Sequence, residues 1–201
     1  MVHYIIGSGG QARTIFDILH SAGTDGIEFV TEEELPGRFD AGGGDVVIIG
    51  IGDNFVRQRV ARLVRERIPA VVFGRAVHPS AVISRSVTLG PGTVVMPGAV
   101  VNTGSQIGAH VILNTNSSVD HDCRIDDFVS IAPRATLGGN VVVGEATAIS
   151  IGATVSHGCE IGEHTVVGAG AVVVKSLPAY AVCYGVPARM IRSREVGETY
   201  L

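Results

Sequence analysis

From Ile83 onward, every sixth residue is aliphatic. Ile83, Leu89, Val95, Val101, Ile107, Leu113, Val119, Ile125, Ile131, Leu137, Val143, Ile149, Val155, Ile161, Val167 and Val173 fill all sixteen slots with Ile, Leu or Val. These three residue types make up 57 of the 201 residues, so chance would fill the slots on the order of once in a billion tries, and the run is an internal repeat. Two residues before each slot stands Ala, Val, Thr, Ser or Cys, and Gly often follows, as in "IGAH", "IGEH" and "VVGAG". A strand of about six residues lays one large and one small side chain inward, because side chains alternate in β structure. The polar or Gly position that follows turns the corner. Three such strands make a triangular coil of about eighteen residues, and stacked coils bury a continuous aliphatic column. Residues 83–173 give roughly five coils with no loop between them.

Residues 1–75 follow a different pattern. "HYIIG", "IEFV", "DVVIIGIG" and "AVVFG" read as short strands alternating with two amphipathic helices. "ARTIFDILHSAG" puts Ile15, Phe16, Leu19 and Ala22 on one face and stops at Gly23. "FVRQRVARLVRERI" turns Val56, Val60, Leu63 and Val64 inward and leaves its five arginines mostly on a solvated face. The alternation predicts a small α/β unit with a mostly parallel sheet over 1–75, followed by a β-helix and C-terminal tail over 76–201. A net charge of −4 argues against a general nucleic-acid binder. The longest apolar runs are strand-sized, which predicts no membrane span, and "MVHYIIGSGG" lacks the pattern of a signal peptide. Three cysteines without framework spacing suit a reducing cytosol, so the expected location is cytoplasmic.

"NSSVDHDC", residues 116–123, sets a histidine, two carboxylates and a thiol side by side. The repeat sorts them. Cys123 and Cys159 fall in the small inward slot, two before Ile125 and Ile161, and are expected as core filler. Desolvation raises a thiol's pKa, the wrong direction for a nucleophile. His121 comes two after Val119, at a corner where a side chain can leave the column, between Asp120 and Asp122, which could hold its ring in one tautomer. Imidazole, with a reference pKa of about 6.5, can accept a proton at neutral pH. His110 and His164 fall at equivalent corners and are expected as exposed turn residues.

"GSGGQA", residues 7–12, fits the dinucleotide fingerprint G-x-G-x-x-A. The α/β unit lacks a second mononucleotide half, which argues against NAD. Phosphate at the following helix N-terminus is physically sound in any case. Asp53 and Asn54 end the third strand, where open α/β sheets place ligands; they either meet a ligand or cap the helix starting at Phe55.

The sixfold repeat resembles that of the hexapeptide-repeat acyltransferases. The tail "SLPAYAVCYGVPARMIR" resembles the ending P-x-x-x-x-x-G-x-P-A-[KR] that these enzymes carry. Together with "GSGGQA" and "NTNSSVDHDC", the chain is similar over nearly its whole length to bacterial acetyltransferases of nucleotide-linked 4-amino-sugars, with sialic-acid O-acetyltransferases as close relatives. The resemblance implies a small Rossmann-like N-terminal domain that binds the nucleotide sugar and a left-handed parallel β-helix. It implies acetyl-CoA as co-substrate, no metal, a homotrimer with the donor in a groove between subunits, and a place in surface polysaccharide or glycan synthesis. His121 would be the general base and Asp122 its support. Gly9, Gly10, Gln11, Asp53 and Asn54 would bind the nucleotide sugar. Ser130, Gly138, Gly139, Ala153, Ala171, Lys175 and Arg189 are candidates for acetyl-CoA, with Arg192 a further phosphate partner. The chain departs from the pattern twice: Gln11 and Ser130 stand where the relatives usually carry histidines. Sugar O-acetylation stays open. The γ-class carbonic anhydrases share the fold and bind zinc through three histidines. Here His121 and His157 lie thirty-six residues apart, but Gly162 stands at the third position. A non-enzymatic trimeric binding module is the remaining alternative.

Overall fold

The protein is described here by a computed structural model covering residues 1–199. Strands β1 (His3–Ile6), β2 (Ile27–Val30) and β3 (Val46–Ile49) form a parallel sheet in the order β2–β1–β3, accompanied by helices α1 (Gly10–Ser21) and α2 (Asn54–Arg67). The expected fourth strand is reduced to one parallel bridge between Val47 and Phe73. The chain leaves the sheet at Gly74, whose carbonyl accepts from the Gly92 N–H of the β-helix at 2.9 Å. Helix α2 buries Asn54, Arg57, Val60, Ala61 and Val64, while Val56 and Leu63 are only half-buried. Its buried stripe is therefore broader than its apolar pattern, and Arg57 belongs to it rather than to the solvated face.

From β4 (Ala76–Val77) to β20 (Val172–Val173) the chain runs in two-residue parallel strands, closed by β21 (Ala181–Gly185) and β22 (Ala188–Ser193). They stack into three faces of a left-handed parallel β-helix. On the first face, Ala76, Val94, Ile112, Ser130, Ala148 and Val166 lie in register; on the second, Val82, Val100, Ser118, Thr136, Thr154 and Val172; on the third, Thr88, Gln106, Arg124, Val142 and Glu160. With β4 included, the seventeen strands from β4 to β20 make about six turns, one more than the repeat alone counts. The slots from Val95 to Val173 are buried, with Leu113, Ile131 and Leu137 at 0 % exposure, whereas Ile83 and Leu89 at the open end are partly exposed. Full burial of one such side chain stabilises the fold by about 1.5–3 kcal/mol.

The corners obey a second rule. Every sixth residue from Gly92 to Gly170 has a left-handed backbone, with φ between 51° and 74°. Glycine accepts this conformation without steric cost, and Asn, Asp and His tolerate it best among the rest. His110, Asn116, Asp122, Asn140 and His164 occupy five of these corners. The first face is the apolar one outside: Ala76, Val94, Met96 and Ile112 pack against Ile5, Ala12, Ile15, Ile18 and Leu19 of the α/β unit. That packing clamps α1 to the lower coils.

Candidate active site

Above that clamp the two units part and leave a cavity of about 880 Å³. One wall is the β1–α1 loop, Gly7 to Gln11, with Gly50 to Asp53 after β3. The other is the outer surface of the first face, including Asn114, Ser130, Ser150 and Ile151, with Tyr184 from β21 at the rim. Helix α1 starts at the cavity with no side-chain cap on its Gly9 N-cap and no acidic residue in its first turn. Its first N–H groups therefore suit an anion. Helix α2, by contrast, is capped: Asp53 Oδ1 accepts from Val56 N–H at 2.9 Å while Asp53 still lines the cavity. Of the residues expected to bind the nucleotide sugar, the structure gathers Gly9, Gly10, Gln11 and Asp53 here.

Asn54 is a correction. It is 1 % exposed and lies beneath the cavity rather than in it. Its Nδ2 donates to the carbonyls of Ala146 and Thr147, both at 3.1 Å, and its Oδ1 accepts from Arg57 Nη2 at 2.8 Å and from Ser130 Oγ at 2.6 Å. Arg57, also 1 % exposed, donates to the carbonyls of Ile51, Gly52, His110 and Phe128 and to Ser130 Oγ. These two side chains fasten α2 to three successive coils. Ser130, expected against acetyl-CoA, is thereby tied to this bolt and lines the cavity from the β-helix wall, opposite the start of α1. His110 is a second correction: at 3 % exposure it is buried, stacked on Phe128 and edge-on to Phe73. Burial, with Arg57 nearby, holds its pKa down to about 4. His164 is likewise half-buried, stacked on Tyr180.

His121 and Asp122 form the turn between the second and third faces, and both are exposed. His121 Nδ1 and Asp122 Oδ2 are 2.8 Å apart. A carboxylate only accepts, so Nδ1 carries the proton and Nε2 is left with the lone pair. The bond to Asp122 raises the imidazole pKa above its ordinary 6.5, helped by the charge of Asp120 and opposed by partial desolvation. Asp120 does not touch the ring: its Oδ1 accepts from Asn102 Nδ2 and from the His121 backbone N–H, which holds its own pKa down. Two glycines, one coil to either side, make room for the pair. A Cβ on Gly104 would stand 2.2 Å from Asp122 Oδ1, and one on Gly139 would stand 2.5 Å from His121 Nε2. Cys123 sits inward at 1 % exposure with its thiol pushed up by burial.

The acetyl-CoA candidates divide. Gly138 and Gly139 lie beside His121, and a Cβ on Gly138 would meet the His157 backbone at 2.8 Å, so the three corners stack. Ala153 and Ala171 are corrections: both side chains face the column, at 0 % and 1 % exposure, and both backbones bond to neighbouring residues, Ala153 to Ser150 and Thr136, Ala171 to Gly168 and Thr154. They occupy the small inward slot that the repeat itself assigns. Lys175 is exposed at the last coil. Arg189 pairs in register with Tyr184, at the cavity rim. Arg192 is held by Glu198, which blunts it as a phosphate partner. Among the described residues, no three His, Cys, Asp or Glu side chains group to hold a metal ion, and no helix is long and apolar enough to cross a membrane. Sequence reasoning missed Arg57, His110, Asn114, Ser150 and Tyr184. None carries a motif: Asn114, Ser150 and Tyr184 line the cavity, while Arg57 and His110 lie buried where the two units pack together.

No family model and no curated protein sequence matches the chain. Solved structures do. A histidine-to-asparagine variant of perosamine N-acetyltransferase from Caulobacter crescentus, in complex with CoA and GDP-perosamine, matches with a TM-score of 0.89 and 35% identity, over 96% of this chain and 98% of that one. The acetyltransferase domain of PglB from Neisseria gonorrhoeae, solved in complex with acetyl coenzyme A, matches with a TM-score of 0.89 and 30% identity, over 94% and 98%. WeeI from Acinetobacter baumannii shares the fold, with a TM-score of 0.77 at 24% identity over 95% of this chain and 100% of that one. With that identity sustained from the α/β unit through the last coil, the chain belongs to the hexapeptide-repeat sugar N-acetyltransferases.

Proposed function

We propose that this protein transfers the acetyl group of acetyl-CoA to the 4-amino group of a nucleotide-linked amino-dideoxy-sugar. The observation that carries the reading is the His121–Asp122 pair, fixed in one tautomer at 2.8 Å on an exposed corner. The Caulobacter relative, with its bound CoA and GDP-perosamine, supplies the substrate class. Residues 1–75 are read as a small Rossmann-like domain for the nucleotide sugar, with the diphosphate on the N–H groups of Gly9, Gly10 and Gln11 at the start of α1. Residues 76–201 are read as the acyltransferase domain.

The reaction needs a neutral amine. Its nitrogen attacks the thioester carbon, a C–N bond forms, and His121 Nε2 takes the proton that the nitrogen sheds. The tetrahedral intermediate collapses with loss of the C–S bond, and the proton passes to the departing CoA thiolate. Asp122 holds the ring and stabilises the imidazolium formed in between. Gly139 lies beside Nε2, and a backbone N–H there would suit the thioester oxygen as charge develops on it. No acyl-enzyme forms: Cys123 is buried and its thiol is pushed away from the thiolate form.

We infer a homotrimer from the same geometry. His121 stands at the corner between the second and third faces, while the cavity lies on the first face of its own chain. A threefold packing of triangular prisms sets one chain's corner against its neighbour's first face, so the base serves a cavity next door. Acetyl-CoA and nucleotide sugars are cytoplasmic metabolites, and the three unpaired cysteines suit that compartment. The test is thiol release from acetyl-CoA with GDP-, UDP- and dTDP-linked 4-amino-sugars beside their 4-hydroxy counterparts. Release with an amino sugar is expected. Release only with the hydroxyl sugars would make the protein an O-acetyltransferase instead.

A further inference from the structure

Resting on the reading above, we propose that Ser130 is a specificity-determining residue that offers the sugar a hydrogen-bond acceptor and no donor. Three fixed neighbours lead to this. The Asn54 Nδ2 group faces the carbonyls of Ala146 and Thr147, each at 3.1 Å, and carbonyls can only accept. The amide orientation is therefore set, and Oδ1 points to Ser130. At 2.6 Å from that oxygen, Ser130 Oγ must donate its single proton to it. Arg57 Nη2, 3.2 Å away, can only donate, and because its two N–H groups already serve Asn54 Oδ1 at 2.8 Å and the Phe128 carbonyl at 2.9 Å it gives the same Oγ no more than a shared proton. Asn54 and Arg57 are each 1 % exposed, so neither rearranges for a ligand without breaking the bolt between α2 and the coils.

At least one lone pair of Ser130 Oγ remains, and Ser130 lines the cavity. Gly9 and Gly10, at the start of α1, form the opposite wall. With the diphosphate at that wall, Ser130 faces the sugar. An acceptor there favours a ligand N–H, as an amine provides, and disfavours a ketone, which has only lone pairs to present. The distinction has a chemical use. A C4 amine on a sugar is made by aminating a C4 ketone, so the amination that supplies this substrate leaves its ketone precursor beside it in the cell. Ser130 sorts the two before any acetyl group is committed.

Calorimetric titration tests this on the whole protein. Wild type is first titrated with GDP-, UDP- and dTDP-linked 4-amino-sugars, and the tightest binder is then used on Ser130→Ala and Ser130→Thr, with the matching 4-keto sugar, the nucleoside diphosphate alone and acetyl-CoA. Loss of one hydrogen bond to a charged or partly charged donor predicts about tenfold weaker binding of the amino sugar by Ser130→Ala. Ser130→Thr, which keeps the hydroxyl, stays near wild type. Affinity for the nucleoside diphosphate and for acetyl-CoA is unchanged in both, and the preference for amine over ketone shrinks in Ser130→Ala. Should Ser130→Ala fail to fold, Ser130→Cys carries the same comparison, because a thiol is a poor acceptor of similar size. Unchanged amino-sugar affinity, or an equal loss for the nucleoside diphosphate, overturns the assignment and leaves Ser130 as part of the bolt alone. Wild type that binds none of the amino sugars sinks the functional reading itself, a separate result.

Discussion

Gly139→Ala separates the position of the His121 ring from everything else in the fold. A Cβ at residue 139 would stand 2.5 Å from Nε2 and 2.6 Å from Cε1 of His121, against ordinary contact at 3.4 Å or beyond. The ring must retreat by about 0.9 Å to reach that distance. Reacting groups displaced by about 1 Å lose on the order of 10²-fold in rate, and kcat is expected to fall by about that factor. Gly139 does not need a left-handed backbone, so alanine is conformationally tolerated, and stability should move by no more than about 1 kcal/mol. The assay is thiol release at saturating acetyl-CoA, with a thermal melt of the same sample. A double-mutant cycle completes it: in a His121→Ala background the alanine at 139 should cost little more, because there is no ring left to displace. Wild-type kcat in Gly139→Ala, or a full additional loss in the double variant, would refute the reasoning.

Asp122→Asn removes the carboxylate whose hydrogen bond and charge raise the His121 pKa, and leaves an amide that can face the ring with either its oxygen or its NH2 group. Activity in wild type should rise with pH through an inflection above 6.5, and in the variant that inflection should move down toward 6.5 while the plateau falls, because the tautomer is no longer fixed; a pH profile of kcat/KM reads both. His110 should behave in the opposite way. The unfolded chain binds a proton below about 6.5 and the folded chain not until about 4, so stability falls by about 3 kcal/mol as pH drops through that window and levels off below it. Histidine NMR titration gives the direct check: the His110 ring should stay neutral at pH 5, where His121 is already protonated, and a His110 midpoint near 6.5 would contradict its burial.

The β-helix was legible because its information is local and repeated. Each coil states its own large slot, small slot and corner, so Leu113, Leu137 and Cys123 could be placed inside from spacing alone. His121 was legible for the same reason, since the corner register takes it out of the column. The small-slot rule also places Ala153 and Ala171 inside, which makes them poor ligand contacts, and it outweighs a positional likeness to acetyl-CoA contacts. What the sequence hid lies between the two units. Arg57 sits among five arginines on one helix and carries no mark to set it apart. It is buried because α2 meets coils that lie up to ninety-odd residues away in the chain, where Asn54 reaches the carbonyl of Thr147. His110 shares the corner register of exposed residues, but Phe73 from the α/β unit and Phe128 one coil on together cover it. The cavity belongs to neither unit by itself, so Asn114, Ser150 and Tyr184 had no local signal.

Everything proposed about the chemistry depends on a single imidazole acting as a proton acceptor for an amine. Thiol release by His121→Ala, measured against wild type with the preferred nucleotide-linked 4-amino-sugar at saturation, tests it most directly. A fall in kcat of about 10²–10⁴-fold is predicted, with the thermal melt unchanged because the ring is exposed. Wild-type turnover by a folded His121→Ala protein would contradict the account.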